Sequence, residues 1–277
     1  MVFIAILMAL ALERFFDWSH LRSWQWFDRY CQMLSPVLDR LPPLVRLICW
    51  LLPPILVVGL VQHLLSGWFF GLFCLLFDFI ILLYCFGPAN FWADSYNCLQ
   101  AMSQGDARLV DERLNAAFPE VGTPTPQTLH KTVVRAIYLE GERRVFAVLF
   151  WFSILGPMGA LLYRLIVLAN SKTLSDMAVL SAQALKIIEW LPARLLSFLF
   201  ALGGHFVKVL QIFKKYALQG LDSNEVLISE TGLVALDLPA NKPLPENGEV
   251  EKQAIQLFDR TLFIMLVLSA LLVLAWP

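Results

Sequence analysis

The chain has 277 residues, and 58% of them are hydrophobic, with a mean hydropathy of +0.67. This composition is too apolar for an ordinary soluble domain and indicates an integral membrane protein. The formal net charge of −1 gives no sign of a nucleic-acid partner. The five cysteines have no C-x-x-C spacing and lie in or beside apolar runs, so we expect buried thiols and neither a metal site nor a disulfide framework.

The N-terminal residues 1–16 are apolar apart from the pair Glu13-Arg14. The apolar part is short for a membrane crossing, which needs about 20 residues. A helix that continues through Phe15 and Phe16 would still cross or embed, with both charges against other helices. Alternatively, the two charges lie at the interface beside an aromatic belt. Residues 17–43 mix tryptophan with arginine and aspartate, which predicts an interfacial helix with its rings at headgroup level.

Two apolar runs follow and predict a membrane hairpin, with spans at 47–65 and 68–86 joined by a turn at Ser66-Gly67. Asp78 is a lone carboxylate inside the second run. Such a residue is either a functional candidate or a packing group that is paired or neutral.

Residues 87–144 are the main polar stretch and predict a helical region in the cytoplasm. Thr125 before Pro126 predicts the N-terminus of a helix, because serine and threonine cap helices and proline suits the first helical position. This helix runs without a proline through the ionisable stretch Glu140–Arg144 and into the next apolar segment. We therefore expect an ionisable cluster at the mouth of the bundle.

The central apolar segment, Val145–Ala169, is long enough to cross a bilayer, and its only charge is Arg164. Gly156, Pro157 and Gly159 interrupt it, and they predict a kink or a broken helix because proline removes a backbone donor. A broken helix at membrane depth needs protein or a water-filled cavity around it. These three residues are thus expected inside a bundle, either as a packing kink or beside a functional site.

The remaining chain alternates between apolar and polar stretches. The predicted fold is all-α: a polytopic integral membrane helical bundle with a helical cytoplasmic region and at least four spans. The spans are centred on 47–65, 68–86, 146–168 and 259–276, with 1–16 and 191–212 embedded. The predicted regions are N-terminal helices and hairpin (1–86), cytoplasmic helices (87–144), central segment and amphipathic or re-entrant helix (145–213), acidic polar loop (214–257) and C-terminal membrane helix (258–277).

Two motifs resemble a superfamily of bacterial inner-membrane proteins. Leu149–Leu165 reads LFWFSILGPMGALLYRL, and Trp190–Phe206 reads WLPARLLSFLFALGGHF. They resemble the CobD/CbiB and AmpE superfamily, and the similarity extends from Ala11 to about Asn224. In that superfamily, CbiB-like members are synthetases that join an aminopropanol unit to a corrinoid carboxylate. AmpE-like members are membrane regulators linked to β-lactamase induction and cell-wall recycling.

Departures from the synthetase pattern favour the AmpE branch. Val167–Asn170 stand where the synthetases have polar residues of the form NTLD, and Glu140–Arg144 replace an Asn-Leu-Ser-Asp-Gly type stretch. An ATP-dependent ligation needs carboxylates for magnesium and donors around the phosphates. The resemblance therefore implies a non-enzymatic regulator with no cofactor and no catalytic residue. The alternatives are an ATP-dependent CbiB-like amide synthetase and a membrane scaffold or transport component.

The candidate ligand-binding positions are charged and aromatic residues in or beside apolar runs. Arg164 and Arg194 would bind an anionic ligand, such as a sugar-peptide carboxylate or a phosphate, or else snorkel or pair with acidic residues. His205 would titrate near neutral pH, or be a packing or interfacial residue. We also expect Glu13, Arg14, Arg164, Glu189 and Arg194 to converge on the cytoplasmic side. The full candidate set is Glu13, Arg14, Arg144, Tyr163, Arg164, Glu189, Trp190, Arg194 and His205.

The predicted location is the bacterial inner membrane, with several crossings. Basic residues flank the hairpin and are missing from its tip, so the positive-inside rule places both flanks in the cytoplasm and the turn outside. The expected partners are the lipid bilayer and either a cell-wall-derived small molecule or another membrane protein, with no nucleic acid.

Overall fold

A computed structural model describes residues 2–16, 18, 22–38, 40–65, 71–104, 107–118, 128–172, 175–237 and 248–275. These residues contain helices and connecting turns and no β-strand, which confirms the all-α prediction. The helices are α1 (Val2–Phe15), α2 (Gln25–Leu38), α3 (Pro43–Leu65), α4 (Leu72–Cys85), α5 (Phe91–Ser103), α6 (Ala107–Ala117), α7 (Leu129–Gly141), α8 (Ala147–Lys172), α9 (Ser175–Gly203), α10 (Phe206–Tyr216), α11 (Asn224–Ala235) and α12 (Glu249–Ala275).

The chain divides into two compact units, and each is built from two separate stretches. Unit 1 contains Met1–Asn90 and Ala147–Ile188, and unit 2 contains Phe91–Phe146 and Glu189–Pro277. The predicted division into five regions stays a prediction.

Unit 1 packs α1 against α4 and α8, and α3 against α4 and α8. Ala5 and Ala9 lie one turn apart on α1 and are fully buried. Small residues at this spacing let helix backbones approach closely, as they do between membrane helices. Gly59 on α3 serves the same purpose, because a Cβ there would lie 2.6 Å from the sulfur of Met158 on α8.

Unit 2 packs α7 against α11 and α12, and α5 against α6 and α12. Tyr138 on α7 is completely buried, and its ring lies 4.8 Å from the ring of Phe200. Phe91 and Phe258 form a second aromatic contact, with centroids 5.1 Å apart. The core of this unit is therefore built around large rings contributed by several helices.

Three helical stretches in the described residues are long and apolar enough to cross a membrane, namely Pro43–Leu65, Leu129–Ser171 and Glu249–Leu271. Three of the four predicted spans lie within or largely overlap them. The fourth predicted span, 68–86, stays a prediction: α4 within it has 14 residues, which is about 21 Å of helix beside a hydrocarbon core of ~30 Å. Residues 66–70, including the predicted turn at Ser66-Gly67, lie outside the described residues.

The central helix has a break where the glycines and the proline interrupt it. Gly156 in α8 adopts φ 64° and ψ −153°, which is not a helical conformation, and Pro157 follows it. A positive φ is readily available only to glycine. A Cβ at Gly159 would lie 3.0 Å from the carbonyl carbon of Trp151 and 2.6 Å from Cβ of Leu155. Both glycines are therefore required by the backbone path at the kink.

The predicted embedded segment 191–212 contains parts of two helices, because α9 ends at Gly203 and α10 begins at Phe206, and its embedding stays a prediction. The next stretch differs from its sequence-based prediction. The acidic loop 214–257 contains helix α11 and the start of α12. The acidic composition of this stretch predicts a loop, but α11 has a buried apolar side, since Leu227 and Ile228 are 0% and 2% exposed. The predicted helix start at Thr125-Pro126 lies outside the described residues; α7 begins at Leu129.

Candidate functional site: a buried charged cluster

A π-helical turn follows α7 and carries three consecutive charged residues. The turn spans Glu142–Phe146 and begins directly after Gly141. A Cβ at Gly141 would lie 2.8 Å from the ring of Phe258 and 3.1 Å from that of Phe91, so the backbone packs directly on two rings. Single π-helical turns inside α-helices occur frequently at functional sites. The turn therefore marks this end of α7 as a candidate site.

Arg143 joins carboxylates from two other helices. Its Nε donates to Oε1 of Glu189 on α9 at 3.2 Å, and its Nη2 donates to Oε1 of Glu225 on α11 at 3.1 Å. The Glu189 side chain is 6% exposed and that of Glu225 is 51% exposed. Arg135 lies 3.6 Å from the other oxygen of Glu225. The ion pairs thus lead from a buried carboxylate to a solvent-exposed one.

Glu142 is the most buried charged residue of the turn. It is 2% exposed, and its Oε1 has no hydrogen-bond partner among the described residues. It interacts electrostatically with Glu189 and Arg143, and also with Glu140 and Glu225. An uncompensated buried carboxylate is costly, so this position favours a proton or a nearby positive charge. We refer to Glu142, Arg143, Glu189 and Glu225 as the Arg143 cluster.

Arg144 belongs to an adjacent group of polar contacts. Its Nε donates to Glu140 at 2.7 Å, one turn earlier, and its Nη1 donates to Asp94 on α5 at 2.6 Å. Its Nη2 donates to the carbonyl oxygen of Ala117 at the end of α6. The guanidinium also lies over the ring of Phe118, 5.8 Å from its centroid. Arg144 therefore joins α5 and α6 to the turn.

Arg194 occupies a separate buried site in unit 2. Its side chain makes five hydrogen bonds, and a guanidinium has five N–H groups. The group also stacks on Trp190, 4.2 Å from the ring centroid. No N–H is left for a ligand unless one of these bonds breaks, which favours the structural alternative for this residue. The acceptors are carbonyl oxygens of Trp190, Ala217 and Gln219, the amide oxygen of Asn224 and the hydroxyl of Ser223.

In unit 1, Glu13 is paired with Arg22 rather than left at an interface. The two atoms Oε1 and Nη2 are 2.9 Å apart, and both side chains are buried. Asn90 donates to the carbonyl oxygen of Glu13 at 2.8 Å and thereby holds the end of α1. Arg14 is partly exposed.

Arg164 and Tyr163 are buried in α8, at 5% and 0% exposure. The Arg164 guanidinium packs against Gly87, where an added Cβ would lie 2.8 Å from Cζ. His205 is half-exposed and pairs with Asp237 at 3.1 Å. Trp190 is 37% exposed, and its ring is covered on one face by Arg194.

The structure thus brings some candidates together and separates others by unit. Unit 1 holds Glu13, Arg14, Tyr163 and Arg164, and unit 2 holds the other five. The convergence of all five predicted charges stays a prediction, as does ligand binding at each candidate. The ionisable stretch Glu140–Arg144 is evident in the sequence, and Arg144 is the one residue of it among the predicted ligand-binding positions. Glu225 is not among the predicted positions. The sequence feature that points to it is a carboxylate followed directly by the apolar residues Val226–Ile228.

The arrangement can exchange ion pairs or take up positive charge. Around the turn, five carboxylates lie near three arginines. Arg143 serves two carboxylates, and Glu225 serves two arginines. In the part of the chain that the structure describes, no three His, Cys, Asp or Glu side chains are placed to hold a metal ion. The site is therefore an ionic network, and its chemistry is pairing and protonation.

These features define an all-helical membrane protein with a buried ionic network. The family model described as "Regulatory signalling modulator protein AmpE" matches residues 1–275. The chain therefore belongs to the AmpE family.

A cobalamin relative is also similar to this chain. The "Cobalamin biosynthesis protein CobD" of Chromobacterium violaceum is 29% identical over 121 residues, which cover 39% of this chain and 37% of that protein. The chain thus matches little more than a third of the length of this relative. The similarity agrees with membership of the CobD/CbiB/AmpE superfamily. No solved structure matches the chain.

Proposed function

We propose that the chain is a non-enzymatic regulatory sensor of the bacterial inner membrane, linked to β-lactamase induction and cell-wall recycling. Its family is described by regulatory signalling. The observation that carries the proposal is the Arg143 cluster, because it joins three helical elements through shared ion pairs. A cell-wall-derived small molecule or another membrane protein supplies the input.

Shared ion pairs offer a helical protein a second arrangement in which one arginine changes its carboxylate partner. If the ion pair between Arg143 and Glu225 breaks, Arg143 is still paired with Glu189. Glu225 is then still 3.6 Å from Arg135. A change of partner therefore leaves no arginine without a carboxylate, which avoids the large cost of a buried unpaired charge. Regulatory proteins work through such bistable elements, whose balance is shifted by a local change in charge or packing.

The direct test is β-lactamase induction in a strain from which this gene is deleted. Complementation compares the wild type, the double variant Arg143→Gln/Glu189→Gln and the control Lys208→Gln. The double variant removes both charges and keeps polar groups that can still hydrogen-bond. The control removes an exposed charge paired with Asp237. We expect the wild type and the control to restore the induction response of the parent strain, and the double variant to fail at equal abundance by immunoblot.

Normal induction by the double variant would remove the cluster from the mechanism, and normal induction in the deletion strain would contradict the proposed role. The similarity to a cobalamin biosynthesis protein supports the synthetase as the second candidate. Purified protein, ATP, a corrinoid acid and an amino alcohol test it directly. Amide formation above the background without protein would contradict a non-enzymatic role.

A further inference from the structure

Helix α2 presents an exposed apolar and aromatic stripe. Trp26, Tyr30, Met33 and Val37 follow each other at helical spacing and so lie on one face. Met33 is 80% exposed and Val37 is 71% exposed. Side chains this large and apolar rarely remain in water on one continuous face. The stripe therefore needs a partner, and the adjoining residues indicate which one.

A groove of about 400 Å³ lies at the N-terminal end of this stripe. Its size is within the ~300–1,000 Å³ range of small-molecule sites. Arg29 is the one charged residue in its lining, and it makes no hydrogen bond or ion pair with any residue that the structure describes. A cation that forms no ion pair suits an anionic group. The lining residues are Ser23, Gln25, Trp26, Arg29, Tyr30 and Met33.

The groove is fixed beside two apolar helices. The hydroxyl of Tyr30 donates to the carbonyl oxygen of Cys49 at 3.0 Å, about two turns into α3. The indole of Trp26 donates to the hydroxyl of Tyr84 near the end of α4 at 2.9 Å. Helix α3 is long and apolar enough to cross a membrane, and only 11% of its most apolar window is buried, so most of its surface is available to lipid. The groove therefore lies near one end of a membrane helix, where lipid headgroups are found.

We propose that this groove binds one anionic glycerophospholipid. The guanidinium of Arg29 pairs with the phosphate, since arginine holds phosphate oxygens with two parallel N–H groups. Trp26 and Tyr30 lie at the level of the headgroup and glycerol, the usual depth of aromatic belts. An acyl chain follows the stripe over Met33 and Val37. An anionic headgroup is favoured over a zwitterionic one because the lining has no carboxylate to receive an ammonium group.

The test is native mass spectrometry of the full-length protein in a neutral detergent, titrated with palmitoyl-oleoyl-phosphatidylglycerol. We expect one tightly bound lipid on the wild type and a loss of affinity of about tenfold for Arg29→Gln, the size expected from losing one charge-assisted contact. Arg40→Gln is the matched control, because Arg40 is also exposed, follows α2 and lies outside the groove. Its affinity should change less than about twofold.

Equal losses in both variants would mean diffuse surface attraction and would overturn the site, as would unchanged affinity in Arg29→Gln. Met33→Glu places a charge on the acyl path and should weaken binding as strongly as Arg29→Gln; unchanged binding by this variant would also contradict the proposal. Glycerol 3-phosphate carries the phosphate without acyl chains. Displacement of the lipid by equimolar glycerol 3-phosphate would show a free-phosphate site instead of a lipid site.

Discussion

Arg194 illustrates how a buried charge can be satisfied without a carboxylate. Its five N–H groups reach oxygens contributed by α9, by the residues that follow α10 and by the start of α11. The peptide and amide dipoles around this cation stabilise its charge as an ion pair would. The same hydrogen bonds also fix the positions of three chain segments. Nothing in the sequence identifies these partners, because most of them are backbone carbonyls.

We predict that Arg194→Ala lowers the amount of protein in the membrane severalfold. The truncation leaves several buried acceptors without a donor, and each costs about 1–3 kcal/mol. Lys208→Ala is the matched control, since it removes an exposed charge on the neighbouring helix α10 and should have little effect. Immunoblots of membranes from the two strains measure the difference. Wild-type abundance of Arg194→Ala would contradict the structural role and return this residue to the ligand-binding candidates.

Gly87 supports a second prediction, on Arg164. Its φ of 107° lies in a region that side chains disfavour, and an added Cβ would displace the Arg164 guanidinium. We expect Gly87→Ala to destabilise the protein by about 1–3 kcal/mol. Gly220→Ala is the control, because Gly220 has φ −59° and open space around it. Thermal unfolding in detergent measures both, and equal midpoints would show that the Gly87 contact has no energetic importance.

The structural role of some residues can be predicted from the sequence, and that of others cannot. Gly156-Pro157 predicts a break because both residues disfavour a continuous helix, and the break is present. The partner of Glu13 could not be predicted, since Arg22 lies nine residues away and beyond the end of α1. The same holds for Arg143, whose carboxylates come from helices that begin more than thirty residues later in the chain. Local rules find local features, while ion pairs depend on packing.

Helix α11 shows the same limit at the scale of an element. The sequence around it is acidic and rich in loop-forming residues, which predicts a loop. Its buried side consists of small and apolar residues, and Gly232 packs directly on the ring of Tyr138, with an added Cβ 3.3 Å from Cγ. Such a helix has little amphipathic signal, because small residues that allow close packing are not strongly hydrophobic. Tertiary packing therefore decides this element, and composition does not.

Hydrogen–deuterium exchange tests whether α11 is formed in the membrane. The backbone amides of Leu227–Gly232 should exchange slowly, because they are helical and buried against α7. Peptides covering Lys214–Gln219, at the exposed end of α10, provide the comparison within the same protein. We expect the α11 peptides to keep deuterium out for at least ten times longer. Equal exchange in both peptides would restore the loop prediction.

At the scale of the whole molecule, the apolar composition already indicates a membrane protein, and the three membrane-length helical stretches found among the described residues confirm that class. The number of spans is harder to predict than their existence. A run such as 68–86 counts as a span by hydropathy, yet the described helix within it has 14 residues. Hydropathy measures how apolar a segment is, and it does not measure where its helix begins or ends.

The orientation of the chain follows from where its basic residues lie. Lysine and arginine are retained on the cytoplasmic side during insertion, so loops rich in them stay inside. In this chain, basic residues lie before the predicted hairpin, at its start and after its end. The tip of the hairpin has none. The turn at Ser66-Gly67 is thus predicted outside and the polar region 87–144 inside. The basic residues are Arg14, Arg22, Arg29, Arg40 and Arg46 before or within the hairpin, and Arg108, Arg113, Lys131, Arg135, Arg143 and Arg144 after it.

Cysteine accessibility measures this orientation directly. The five native cysteines are replaced by serine or alanine, and a single cysteine is placed at Ser66 or at Gln127. A membrane-impermeant maleimide added to cells with a permeabilised outer membrane should label Ser66→Cys and leave Gln127→Cys unlabelled until the inner membrane is disrupted. The reason is that six basic residues follow the hairpin within 87–144, and moving them across the bilayer is strongly disfavoured. Labelling of Gln127→Cys in cells with an intact inner membrane would reverse the predicted topology and place the polar region 87–144 in the periplasm.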